Sequence, residues 1–185
     1  MNMRLLACLA FSLTACQSSA NLPISSPYFE VPVGSRLVLN QPIEIAPTSA
    51  TVRLQFGKIV SRFESQDFEP ACVFESNIVG KTAQLVEPDS FEIIRVRRGS
   101  NTSSAQAAPR TGLVPVSARF VGDGGSRQYY KTELFLKSEK QPQILAMTCQ
   151  HTRESGDSDF RPLTVAEIRQ ALGGYFSLRL LGVDT

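Results

Sequence analysis

The chain is 185 residues long, enough for one domain with tails, and its 42% hydrophobic and 19% charged content is that of a folding chain rather than a disordered one. The net charge of +2 gives no electrostatic reason to expect a nucleic-acid partner. No apolar run reaches the roughly 18 residues that a membrane-spanning helix needs.

The first fifteen residues have the make-up of an export signal. Arg4 supplies the positive start, and Leu5 to Leu13 (LLACLAFSL) forms an apolar stretch too short to span a bilayer. The stretch runs into Leu13-Thr14-Ala15-Cys16, which resembles the lipobox of bacterial lipoproteins: an aliphatic residue, two small residues, then cysteine. The resemblance implies cleavage before Cys16 and acylation of Cys16, palmitate included, as the mature N-terminus. Two or more acyl chains hold a protein stably on a membrane. An ordinary cleaved signal and a soluble product is the competing reading. Cys8 ends a poorer match, with too little apolar chain before it. The residue after the lipidated cysteine sorts such proteins, and Gln17 is not the Asp of inner-membrane retention. In a Gram-negative host this implies the periplasmic face of the outer membrane. Residues 16–33 read as the lipidated cysteine and a polar, Ser- and Pro-containing tether.

Residues 34–185 read as a single β-rich periplasmic domain. Arg36 to Leu39, Ile43 to Ile45, Val52 to Phe56, Cys72 to Glu75 and Phe91 to Arg97 are short runs of alternating apolar and polar residues. Leu113 to Val121 continues the series. Tyr129 to Lys137 and Gln143 to Cys149, separated by Ser138 to Pro142, read as a β-hairpin. Gly99 to Arg110 and Arg153 to Asp159 read as polar loops. One helix is signalled: Thr164 and Glu167 fit a capping box, Leu163 and Ile168 a hydrophobic staple, and Gly173-Gly174 a helix end. Val165, Ile168 and Leu172 share one face, which places the helix on the sheet. Tyr175 to Leu181 closes the chain as a strand. The expected fold is mainly β, a sandwich or small barrel of antiparallel strands, with one helix near the C-terminus.

Cys72 and Cys149 remain once Cys8 leaves with the leader and Cys16 takes the lipid. In the oxidising periplasm a disulfide between them is expected, the alternative being two buried thiols. Met147, Cys149 and His151 alternate and would share a strand face, a set suited to a soft metal. A disulfide at Cys149 removes the thiolate and with it that site, leaving Met147 as core and His151 as a surface residue at the strand end. His151 is the only histidine, which disfavours a Cys/His zinc site and leaves a single candidate base for a hydrolase; there is no Gly-x-Ser-x-Gly elbow. Gly122 to Ser126 (GDGGS) lacks the ending of a phosphate loop and reads as a turn. Glu154, Asp157 and Asp159 have the wrong spacing for an EF-hand and read as a solvated acidic loop. Arg95, Arg97 and Arg98, with Arg110 nearby, form one basic cluster; Arg95 and Arg97 would share a face able to contact an anionic partner.

Pro70 to Glu75 (PACVFE), Glu87 to Phe91 (EPDSF), Arg95 to Arg98, Met147-Thr148-Cys149 and Val165 to Arg169 together resemble a group of small proteobacterial lipoproteins, over most of residues 34–180. That group brings no activity with it; the resemblance supports the compartment and the disulfide. The expected function is therefore a lipid-anchored envelope lipoprotein acting as a non-catalytic binding or scaffolding module. Its partners would be the membrane and an envelope protein, with no cofactor and no nucleic acid. A periplasmic small-ligand or metal-binding protein, and an enzyme of unfamiliar design, are the alternatives.

Overall fold

The computed structural model describes residues 22–103 and 127–183. The expected strand at Leu113 to Val121, the expected turn at Gly122 to Ser126, Arg110 and the expected lipidation residue Cys16 lie outside the described residues.

The alternating runs form an antiparallel sheet curled into a half-barrel, with one helix near the C-terminus. Eight strands contribute to it: β1 (Arg36–Leu39), β3 (Thr51–Gln55), β4 (Lys58–Val60), β5 (Ala71–Ser76), β7 (Asp89–Ser103), β8 (Arg127–Lys137), β9 (Ile144–Glu154) and β10 (Phe176–Arg179), in the order β10-β1-β7-β8-β9-β5-β3-β4. A separate pair, β2 (Ile43–Ile45) and β6 (Gln84–Val86), adds buried Ile43, Ile45 and Val86 to the core. Period-2 alternation puts Leu37, Leu39, Leu54, Cys72, Phe74, Phe91, Leu134 and Met147 on the concave face, where all are buried. Phe74 is the hub of that face, with the Phe91 ring 5.8 Å and the Phe176 ring 5.0 Å away. Such pairs stabilise by about 0.5–1.5 kcal/mol beyond the area they bury.

Helix α1 (Val165–Leu172) packs across the curled sheet, contacting edge strand β10 on one side and β3 and β5 on the other. Its start is the expected capping box: Glu167 N donates to Thr164 Oγ1 and Thr164 N to the Glu167 carboxylate. Val165, Ile168, Ala171 and Leu172 are the buried face. Arg169 donates to the Leu178 carbonyl at 2.8 Å, and Gly57 N to the Ala171 carbonyl at 3.1 Å, so the helix is bonded both to β10 and to the β3–β4 turn.

Two segments differ from expectation. Residues 22–33 are not a free tether: Val31 is buried in the core, Ile24 and Phe29 pack against it, and turns at Pro23–Ser26 and Ser26–Phe29 fold the segment onto the domain. Three apolar residues spaced through a polar stretch suffice to dock it. Gly99 to Ser103 is strand rather than loop, because β8 offers it a ladder partner at every position. Strands β4 and β6, three residues each, are too short to show alternation in the sequence.

Candidate functional site

In the β3–β4 hairpin Gln55 pairs with Lys58, which leaves Phe56 and Gly57 as a two-residue turn. Both have positive φ, 53° and 73°, as a type I′ turn requires. Gly57 meets that demand without cost and lies against Gly173 at the helix end. Phe56 does not: a bulky side chain with positive φ is an outlier, and it remains half exposed. Strand β4 follows as a free edge of the sheet among the described residues, with Lys58 and Ile59 exposed.

The next turn projects a second aromatic. Ser61 N donates to Glu64 Oε2 at 2.9 Å and Glu64 N to the Ser61 carbonyl at 3.2 Å, and the hydrogen bond from the Ser61 backbone holds the Glu64 carboxyl below its ordinary value. Phe63, at the tip of this turn, is 99% exposed. Single exposed apolar residues need no explanation, but Phe56, Ile59 and Phe63 fall within one hairpin and its following turn.

Buried Gln55 fixes the loop beyond. Its amide donates to the carbonyls of Gln66 (2.8 Å) and Glu69 (3.2 Å) and accepts from Gln66 N (2.9 Å). Under the loop is a polar hollow of about 200 Å³ lined by Arg53, Arg62, Asp67, Glu69, Tyr129 and Gln150 among others. Arg127 pairs with Asp67 at 2.6 Å and lies over the Phe68 ring. Lys58 and Arg62 are exposed along this stretch, and so are Glu64 and Glu69, so the edge carries charge of both signs.

The basic cluster expected at Arg95, Arg97 and Arg98 is divided between two faces, which corrects the single-cluster reading. A β-bulge between Ile93 and Arg95 resets the alternation, so that Phe91 and Ile93 point inward while Arg95 and Arg97 point out. Without it both arginines would enter the core. Arg95 lies 3.8 Å over the Phe135 ring, and Arg97 pairs with Glu133, whose carboxyl that hydrogen bond holds down. Arg98 faces the other way, half buried, donating to the Phe29 carbonyl. Arg98 is thus a strut for the N-terminal segment, and only Arg95 and Arg97 present charge to solvent.

Cys72 and Cys149 are register partners on β5 and β9 and form the expected disulfide, with both sulfurs in the core. Met147 and Cys149 are core, as expected. His151 is buried rather than at the surface, because β9 continues past it to Glu154. Its Nε2 is 2.8 Å from the Arg161 carbonyl, and burial pushes its pKa down, keeping the ring neutral. Nδ1 of His151, Thr132 Oγ1 and Arg98 Nε are buried without a hydrogen-bond partner among the described residues. Two of the three acids of the loop are paired, Asp157 and Asp159 with Arg153, and Asp159 also with Arg161. No group of three or more metal-ligating side chains occurs among the described residues.

Phe56, Ile59 and Phe63 were not singled out by the sequence reading. The Phe-Gly pair after an alternating run was the one available signal of a turn there. No protein-family model, no curated protein and no solved structure matches this chain, so the lipoprotein resemblance rests on its own residues alone.

Proposed function

We propose that the chain is a lipid-anchored cell-envelope module that binds a partner protein without turning over a substrate. The observation that carries this reading is the outer edge of β4, which has no strand partner among the described residues, with Ile59 exposed on it and Phe56 and Phe63 exposed on either side. An exposed strand edge is a template for an added strand, which supplies main-chain hydrogen bonds while neighbouring side chains select the sequence. Lys58, exposed on the strand itself, favours an acidic residue opposite it in an extended segment of an envelope protein. The lipobox resemblance at Cys16, followed by Gln17, supports the periplasmic face of the outer membrane in a Gram-negative host.

The test is site-specific photo-cross-linking in living cells, with the reactive residue at position 63 of the tagged full-length chain and, as control, at exposed Leu145. One envelope protein joined through an acidic segment at position 63, and lost on Lys58→Glu, is the expected result. Equal capture at 63 and 145, or none, overturns the protein-binding reading.

A further inference from the structure

The N-terminal segment and the end of the chain meet in an apolar surface separate from the β4 edge. Leu22, Tyr28, Phe29, Pro32, Leu181 and Val183 surround an open hollow of about 530 Å³. Tyr28 and Leu181 are more than half exposed, as is Val33 next to Gly34. Leu181 lies across Gly34, where an added Cβ would come within 3.1 Å of its side chain, and its backbone N–H donates to Ser35 Oγ at 3.0 Å. The surface is therefore held by the fold at the Leu181 end of β10, whereas the β3–β4 turn abuts Gly173 before that strand begins.

The chain itself says what covers this surface. Cys16 is six residues from Leu22, and six residues reach at most about 20 Å even fully extended. An acylated Cys16 thus keeps Leu22 within one short span of the lipid headgroups. We propose that this surface lies on the bilayer, with Tyr28, Leu181 and Val183 in the interfacial layer. The proposal rests on the lipoprotein reading of Cys16. Its chemistry suits that layer: a tyrosine has an apolar body and a polar tip, and Arg179, exposed two residues before Leu181, adds a cation beside the patch. Glu30, the acidic residue on the hollow, is offset by Arg98. With this face on the membrane, the β3–β4 turn is displaced from it by the length of β10, and the partner edge is left accessible.

The chain has no tryptophan, so one introduced residue is a clean reporter. The full-length lipidated chain carrying Tyr28→Trp, Leu181→Trp or Phe63→Trp is reconstituted in phosphatidylethanolamine–phosphatidylglycerol vesicles with brominated acyl chains. Trp emission at positions 28 and 181 is expected to shift to the blue and be quenched, while that at position 63 stays solvent-like. Equal behaviour at all three positions, or quenching at 63 alone, overturns the proposal even though the anchor is present. The mass of the N-terminal peptide is read on the same sample. A peptide without acyl chains at Cys16 removes the lipoprotein reading, and the bilayer proposal falls with it.

Discussion

Phe56 holds a backbone conformation that costs about 1–3 kcal/mol for a side chain of its size, and the fold keeps it. A residue retained at such a position is a candidate for selection on binding rather than stability. Asparagine tolerates the left-handed region, so Phe56→Asn is expected to leave stability unchanged or raise it by up to about 1 kcal/mol in urea unfolding, while weakening capture at position 63. A loss of stability instead would make Phe56 a packing residue of the α1 end. Glu167 is the second informative residue. Arg161 donates to both its carboxylate oxygens at 2.8 Å, and Thr164 N adds a third bond, so the carboxyl is held down to about 2 from 4.5. The folded pKa is depressed, so the resulting stability is present above about 4.5 and is lost as pH falls toward about 2. Thermal unfolding should show Glu167→Gln less stable than wild type at neutral pH, with the gap narrowing steadily below pH about 4.5.

Among the elements, α1 matters most because it ties edge strand β10 to β3 and β5 across the curled sheet. Its C-terminal glycine makes that placement possible. An added Cβ at Gly173, whose φ is 56°, would come 2.2 Å from Gly57 Cα, whereas one at Gly174 meets nothing within 4 Å. Gly173→Ala is accordingly expected to cost about 2–4 kcal/mol and Gly174→Ala about 0.5 kcal/mol or less, by denaturant unfolding of the two variants. The strands teach a complementary lesson. Runs of four or more alternating residues announced themselves, from Arg36 to Leu39 through Tyr129 to Lys137, and so did the capped helix. β4 and β6 are strands only because a neighbour pairs with them, and the polar Gly99 to Ser103 stretch is strand for the same reason. The bulge after Ile93 was equally invisible, since nothing in Phe-Glu-Ile-Ile-Arg-Val-Arg says where the alternation slips.

For the whole molecule, the Cys72–Cys149 bond joins β5 to β9 across a separation of 77 residues, fastening the middle of the half-barrel. The chain-entropy model assigns such a loop on the order of 4 kcal/mol. The Cys72→Ala/Cys149→Ala double variant should lose stability of that order. Both sulfurs are buried, so a thiol reductant without denaturant should leave the folded protein oxidised, as alkylation and mass measurement would show. The molecule also presents two distinct surfaces, an apolar one where the N-terminal segment meets Leu181 and an aromatic one at the β4 edge; we propose the first for the bilayer and the second for a partner.

Strand periodicity and the helix caps were written in the order of residues, because each depends on neighbours a few positions apart, and Cys72 and Cys149 each stood in a strand-like run. The mainly antiparallel fold and the disulfide followed from them. Tertiary structure alone decided which way Arg95, Arg97 and Arg98 point, that His151 is buried, that residues 22–33 dock on the core, and that Phe56, Ile59 and Phe63 stand at a sheet edge. Each of these depends on a bulge, a ladder partner or the curl of the sheet, contacts between residues far apart in the chain that no local pattern encodes.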